Sequence, residues 1–396
     1  MPNIVPPAPS ITPICPYFYQ CGGCESQDIP YAQQLSTKET WLRTLFHGVV
    51  PEEMWQPIIG SPDEYPTYFR NKIRFSFVRE EGKVFASRHQ KGSDEADIPV
   101  DQCFLLSPIA DKIMNLTAAI ATEYEWSLYD PKTRSGWLKH LLIRQGKKTG
   151  EFLVSLVTDE GSNEGVGNWS ERIKAEIPEV VSIYLLQSWG ASNTRFEDSL
   201  LWGKKGITET VGTYTFWISP HSFFQTNGSM VETMYTTISE HAGLTGSEHL
   251  WDLYAGSATI GMFLSEKAGK VTSIESNPAN VADAKWNIEH NTIHNISVHE
   301  GLVEQLVTSA FICEVGPPDV VIVDPPRAGL HERFRNLLPN LAAGKIVYVS
   351  CNPISCLRDV REIAASGYRI TAAQGIDMFP HSWHCELILT LERITK

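Results

Sequence analysis

The chain has 396 residues, 42% of them hydrophobic and 20% charged, with a formal net charge of −13. That length exceeds one ordinary core and predicts two or three domains. The longest apolar runs, such as Ile346–Val349 and Leu387–Leu391, are strand-sized, and Met1 to Pro16 lacks the basic start and apolar stretch of a signal peptide, so a cytoplasmic protein without a membrane span is expected.

Residues 1–14 read as a disordered leader, rich in proline. Cys15, Cys21 and Cys24 follow closely and, with the distant Cys103, make four soft ligands. Thiolate sets of this kind hold zinc or an iron–sulfur cluster. The stretch Gln33–Phe46 places Leu35, Trp41, Leu42 and Leu45 at helical spacing. From Phe69 the period changes to two, with Phe69, Ile73, Phe75 and Phe77 on one face and Arg70, Lys72 and Arg74 on the other. Between Arg70 and Lys91 seven basic residues face two acidic ones, which reverses the overall charge balance locally. This cationic face suits either a solvated edge strand or an RNA backbone.

Trp137–Arg144 and Glu151–Val157 read as a hairpin around residues 146–150, with a helix over Ile109–Tyr124 and further strands at Val180–Gln187 and Tyr214–Ser219. Residues 15–220 are therefore expected to form a mostly β central region, with helix 33–46 packing on the next domain. Residues 221–396 alternate strands and helices. His249–Tyr254, Lys270–Glu275, Val320–Val323 and Ile346–Ser350 are the buried strands of an α/β, Rossmann-like doubly wound domain, whose ligands lie at the carboxyl ends of the strands.

The first of those strands runs into the small-residue turn Tyr254–Gly261, and the second ends in Glu275, nineteen residues beyond Gly256. That is the spacing at which a carboxylate takes a ribose diol, in a dinucleotide or in S-adenosylmethionine. The third strand ends in Asp324-Pro325-Pro326-Arg327, where the prolines make a stiff turn and Arg327 suits orientation of a base or a phosphate. The fourth runs into Ser350-Cys351-Asn352-Pro353, and the chain then reads Asp377 to Glu386. A thiolate that adds to carbon 6 of a uracil makes carbon 5 nucleophilic, and a base must later remove the carbon-5 proton so that the thiolate can leave.

On these motifs, together with Ser219–Asn227, the chain resembles the RNA uracil-C5 methyltransferase family from Cys15 nearly to its last residue. The resemblance implies Cys351 as nucleophile and Glu386 as base, with His384 supporting Glu386. It implies Gln225, Tyr254, Glu275 and Asp324 as contacts to S-adenosylmethionine. It also favours a [4Fe–4S] cluster over zinc on Cys15, Cys21, Cys24 and Cys103. Ala258 and Gly301 depart from the family pattern on the donor side. Cys356 and Cys385 read as packing residues. With only fourteen residues before Cys15, no oligonucleotide-binding TRAM barrel is expected ahead of the cluster, and this arrangement resembles the bacterial class that methylates 23S ribosomal RNA more than the transfer-RNA class. A methyltransferase acting on other groups and a non-catalytic iron–sulfur RNA-binding protein are the alternatives. No obligate protein partner is evident.

Overall fold

The computed structural model of the chain describes residues 4–93, 97–161, 163–189 and 195–394. After a helix over Tyr31–Leu45, strand β1 (Trp55–Ile59) comes first. The central region then supplies β2 (Lys72–Glu80), β3 (Lys83–His89), β4 (Asp97–Pro99), β5 (Leu138–Gln145), β6 (Phe152–Thr158), β7 (Val180–Trp189) and β8 (Arg195–Gly203). These seven form one sheet in the order β4-β3-β2-β5-β6-β7-β8. Its inward residues, among them Ile73, Phe75, Leu141, Ile143, Val154 and Leu156, pack with residues of the helices Pro108–Glu123 and Val166–Glu176 in one core. A hairpin of β9 (Ile207–Val211) and β10 (Tyr214–Ile218) follows.

The remaining strands are β11 (His249–Leu253), β12 (Lys270–Glu275), β13 (Ile296–Glu300), β14 (Val320–Val323), β15 (Lys345–Ser350), β16 (Tyr368–Ile376) and β17 (Glu386–Arg393). They join β1 in an eight-stranded sheet of order β1-β16-β17-β15-β14-β11-β12-β13. Every neighbour pair is parallel except those made by β17. The strand order reverses between β11 and β14, so the crevice for ligands lies at their carboxyl ends. Successive residues serve opposite cores: Trp251, Val321, Ile346 and Tyr348 face one, while Leu250, Ile322, Val347 and Val349 face the other. The helices after β12 and β15 start at Asn277 and Asn352, whose side chains accept from the amides of Ala279 and Ile354, each followed by a proline in the first turn.

Three expectations need correction or refinement. The split near residue 220 does not divide the two sheets, because β1 pairs in parallel with β16; the helix Tyr31–Leu45 buries Trp41 and Leu42 in a core of the C-terminal sheet, in line with the expected packing of helix 33–46 on that domain. Nonlocal pairing of this kind leaves no periodic signal. Of the leader, Ser10 and Ile11 donate their amides to the Asp28 carbonyl, so its end is tied to the body; residues 1–3 lie outside the described residues. Finally, Lys72 and Arg74 do lie on the face of β2 away from Phe75, but Arg70 precedes the strand, and its guanidinium is set among Cys24, Cys103 and Arg88 rather than on that face. No helix among the described residues is long and apolar enough to cross a membrane.

Candidate active site

The turn after β11 takes positive φ at three alternate residues, Tyr254 at φ 62, Gly256 at φ 56 and Ala258 at φ 57. The left-handed conformation at Ala258 explains why a glycine is expected there, since an L-residue pays about 1–2 kcal/mol for it. Gly256 donates its amide to Glu275 Oε2 (2.9 Å) and Asn277 donates to Oε1 (2.7 Å), which fixes the carboxylate at the end of β12. Gly261 donates to Asp252 Oδ2 (3.0 Å), and a Cβ at Gly261 would lie 2.7 Å from that oxygen. The following helix can approach β11 this closely only with glycine.

Gln225 is set by the block 219–227, whose amides at Ser219 and Phe223 donate to Asp283 and Asn280 of the helix Pro278–His290. Its carbonyl accepts from Asn71 Nδ2 (2.8 Å) and its side chain reaches Asp324 Oδ2 (3.4 Å). Asp324, just past β14, donates its amide to the Leu253 carbonyl of β11 (3.3 Å). Burial first, and then the charge of Asp252, push its carboxyl up to about 7. Asp252 is pushed up to about 7 as well, chiefly by burial, with Glu275 adding.

Cys351 and Glu386 meet because β15 and β17 are antiparallel in a register that pairs Ser350 with Leu387. Burial, then Glu386 and Asp324, push the Cys351 thiol up to about 12, while Arg327 pulls it down. Glu386 is 3% exposed, and burial and Asp324 hold it well above the usual carboxylate range. Its Oε2, like Asp252 Oδ1 and Tyr254 Oη, is buried without a hydrogen-bond partner. Buried polar atoms left unpaired are costly, and these three belong to β11, the turn after it and the start of β17.

Arg327 is the cation of this group, and its loop is gripped by the helix that follows Cys351. Asn352 Nδ2 and Ser355 Oγ donate to the Arg327 carbonyl (2.8 and 3.0 Å), and Asp359 accepts from the Leu330 amide (2.7 Å). The guanidinium donates to His384 Nδ1 (2.9 Å), and burial followed by Arg327 holds that imidazole below its ordinary pKa, hence neutral. His384 therefore partners Arg327 and not Glu386 as expected. Sequence reading missed Asp252 as a buried carboxylate of the site; its position in β11, nine residues before Gly261, is the signal that could have found it.

Cys15, Cys21, Cys24 and Cys103 all line one small cavity, which Arg88 also lines. Gly23 donates its amide to Cys21 Sγ (3.3 Å) and Gln27 Nε2 donates to Cys24 Sγ (3.3 Å). Among the described residues, no three His, Cys, Asp or Glu side chains are grouped closely enough to hold a metal ion. Cys356 and Cys385 are fully buried in the core, as expected.

The sequence model of the tRNA (Uracil-5-)-methyltransferase family matches residues 30–394. The chain belongs to the RNA uracil-C5 methyltransferase family. An uncharacterized RNA methyltransferase of Clostridium tetani is 32% identical over 98% of this chain and 84% of its own length. Another, from Halalkalibacterium halodurans, is 34% identical over 96% of this chain and 82% of its own. Among solved structures, the Pyrococcus abyssi tRNA (uracil-54, C5)-methyltransferase in complex with S-adenosyl-L-homocysteine is similar at a TM-score of 0.73 and 29% identity, over 92% of this chain and 84% of that one. As an RNA uracil-C5 methyltransferase, the chain has a mixed α/β fold in which the expected donor, nucleophile and base residues share one end of the eight-stranded sheet.

Proposed function

We propose that the protein transfers a methyl group to carbon 5 of a uridine in RNA through a covalent bond between Cys351 and carbon 6. The observation that carries this reading is the juxtaposition of Cys351 with Glu386, the latter buried with an unpartnered oxygen. Gln225, Tyr254, Glu275 and Asp324 would hold S-adenosylmethionine, which would supply an electrophilic methyl carbon on a positively charged sulfur, a charge that would favour the ionised forms of nearby Cys351 and Glu386. The Cys351 thiol gives its proton to solvent and the thiolate bonds to carbon 6 as the 5,6 electron pair moves to carbon 5 and the carbon-4 oxygen; carbon 5 then takes the methyl group while the sulfur–methyl bond breaks. Glu386 then accepts the carbon-5 proton, the released electron pair restores the 5,6 double bond, and the Cys351 thiolate departs. A carboxylate whose pKa is raised by burial is a stronger base once ionised, which suits Glu386 to that task. The target uridine must leave its stack to reach these groups.

The four-thiol cavity supports a [4Fe–4S] cluster. The four thiols are not grouped as a ligand set here; the reading rests on the cysteine pattern and on the shared cavity, where the Gly23 amide and Gln27 Nε2 are aimed at sulfur and the guanidinium groups of Arg70 and Arg88 lie beside the thiols. A cluster held there would be structural, fastening the N-terminal segment to the central sheet.

For the substrate we favour 23S ribosomal RNA, from the cysteine pattern. Transfer RNA is the second reading, favoured by the likeness to the Pyrococcus abyssi enzyme. Labelled S-adenosylmethionine and unmodified total RNA test both: label in 5-methyluridine of the ribosomal fraction supports the first, label in the transfer fraction the second. Absence of label in 5-methyluridine of either fraction overturns the reaction.

A further inference from the structure

A buried polar network joins the N-terminal segment to the turn that precedes Glu386. His381, at the centre of that turn, sits at φ 62, a conformation that a non-glycine residue keeps only where its surroundings impose it. Its amide, its carbonyl and its Nε2 are all engaged. Its amide donates to Gln34 Oε1 (3.0 Å), and its carbonyl accepts from the amides of Glu25 (2.7 Å) and Ser26 (3.2 Å). Its Nε2 donates to the Pro66 carbonyl (2.7 Å), and its Nδ1 lies 3.2 Å from Gln34 Nε2. Two residues further on, the Trp383 amide donates to Glu25 Oε2 (3.0 Å).

The same segment is fastened on its other side at the cysteine cavity. Gln27 accepts from the Cys15 amide (3.2 Å) and donates to Cys24, while its carbonyl takes the Tyr65 hydroxyl (3.0 Å). The Tyr65 ring in turn lies 4.7 Å from the His381 ring. Glu25, directly after Cys24, is thus held between the cavity wall and the Trp383 amide.

We infer that Glu25 and Gln34 are positioning residues for Glu386: they hold the His381–Trp383 turn, and through it the base, in its reactive geometry. The inference rests on the reading of Glu386 as the base. Misplacement of a catalytic group by about 1 Å lowers turnover by up to about 10²-fold, so the effect belongs in kcat. Glu25 is exposed, so its substitution leaves the fold intact.

The test compares Glu25→Ala with Glu25→Gln, which keeps an acceptor for the Trp383 amide. In Glu25→Ala, kcat should fall about tenfold or more with KM for RNA within about twofold. The covalent complex between Cys351 and RNA should accumulate during turnover, because only the proton-removal step is slowed. Hydrogen exchange at the Trp383 amide should quicken, and Glu25→Gln should restore turnover to within about threefold of the parent. Unchanged turnover in Glu25→Ala overturns the inference, as does lost turnover without accumulated complex, or a Glu25→Gln variant as slow as the alanine one. If the parent protein forms no complex with RNA, the reading of Cys351 and Glu386 falls. Trp383 exchange in Glu25→Ala then decides the clamp by itself: quickened supports it, unchanged removes it.

Discussion

Cys351 and Glu386 lie at the same end of two antiparallel strands, brought there by the pairing of Ser350 with Leu387. Glu386 adds to the cost of ionising Cys351, Asp324 raises that cost for both, and Arg327 eases both. Cys351→Ala should abolish both turnover and covalent capture of RNA carrying 5-fluorouridine. Glu386→Gln should slow turnover about 10²–10⁴-fold while the covalent complex accumulates on ordinary uridine RNA. Denaturing gels that resolve protein–RNA complexes separate the two, and a Cys351→Ala variant that still forms the complex would falsify the assignment of the nucleophile.

The carboxyl of Asp324 is pushed up to about 7 by burial and Asp252. A folded pKa above the unfolded one means that the contribution to stability is complete below about pH 4 and is lost as pH rises through about 7. Asp324→Asn removes that titration. Its melting temperature should therefore gain on the parent as pH rises from about 5 to about 8. A pH-independent difference between the two proteins would contradict the raised pKa.

Lys38 and Asp377 form a fully buried ion pair at 2.7 Å, with the Tyr31 hydroxyl also donating to Asp377 (2.9 Å). Lys38→Met should destabilise by about 3–5 kcal/mol, because it strands the Asp377 charge in the core. Adding Asp377→Asn should recover much of that loss. Urea titration of the two single variants and the double variant measures the coupling; strict additivity would mean that the pair contributes nothing.

Gly261 has no room for a side chain, since its Cβ would come 2.7 Å from Asp252 Oδ2 and 2.9 Å from Ser273 Oγ. Both neighbours are buried. Gly261→Ala should lower stability by about 1–3 kcal/mol and weaken binding of S-adenosylhomocysteine, as read by thermal melts and calorimetry. An unchanged melt would show that the helix can withdraw from β11.

The four thiols of the cysteine cavity should carry iron and sulfide in protein purified without oxygen. Cys24→Ser should lose both, together with visible absorbance. Zinc in place of iron in the anaerobic protein would replace the cluster reading with a single-ion site.

Much of this architecture was legible locally. Period two in Ile73, Phe75 and Phe77 marked β2, and the apolar run Ile346–Val349 marked β15, because a strand's faces are written at alternate residues. Small residues after β11 marked the turn where Tyr254, Gly256 and Ala258 take positive φ. That Glu275, Asp324 and Cys351 stand at the carboxyl ends of their strands was likewise readable, because each closes a run of strand length.

What the tertiary structure alone decided is pairing across distance. Nothing in Trp55–Ile59 announces a strand beside β16, and nothing in Lys38 or Glu25 announces contact with the segment before Glu386. Arg70 alternates in sequence with Lys72 and Arg74 yet turns to the cysteines, and His384 takes Arg327 as its partner. Local periodicity reports which face of an element is buried, whereas the partner on that face follows from the packing of the whole chain, which no window of sequence contains.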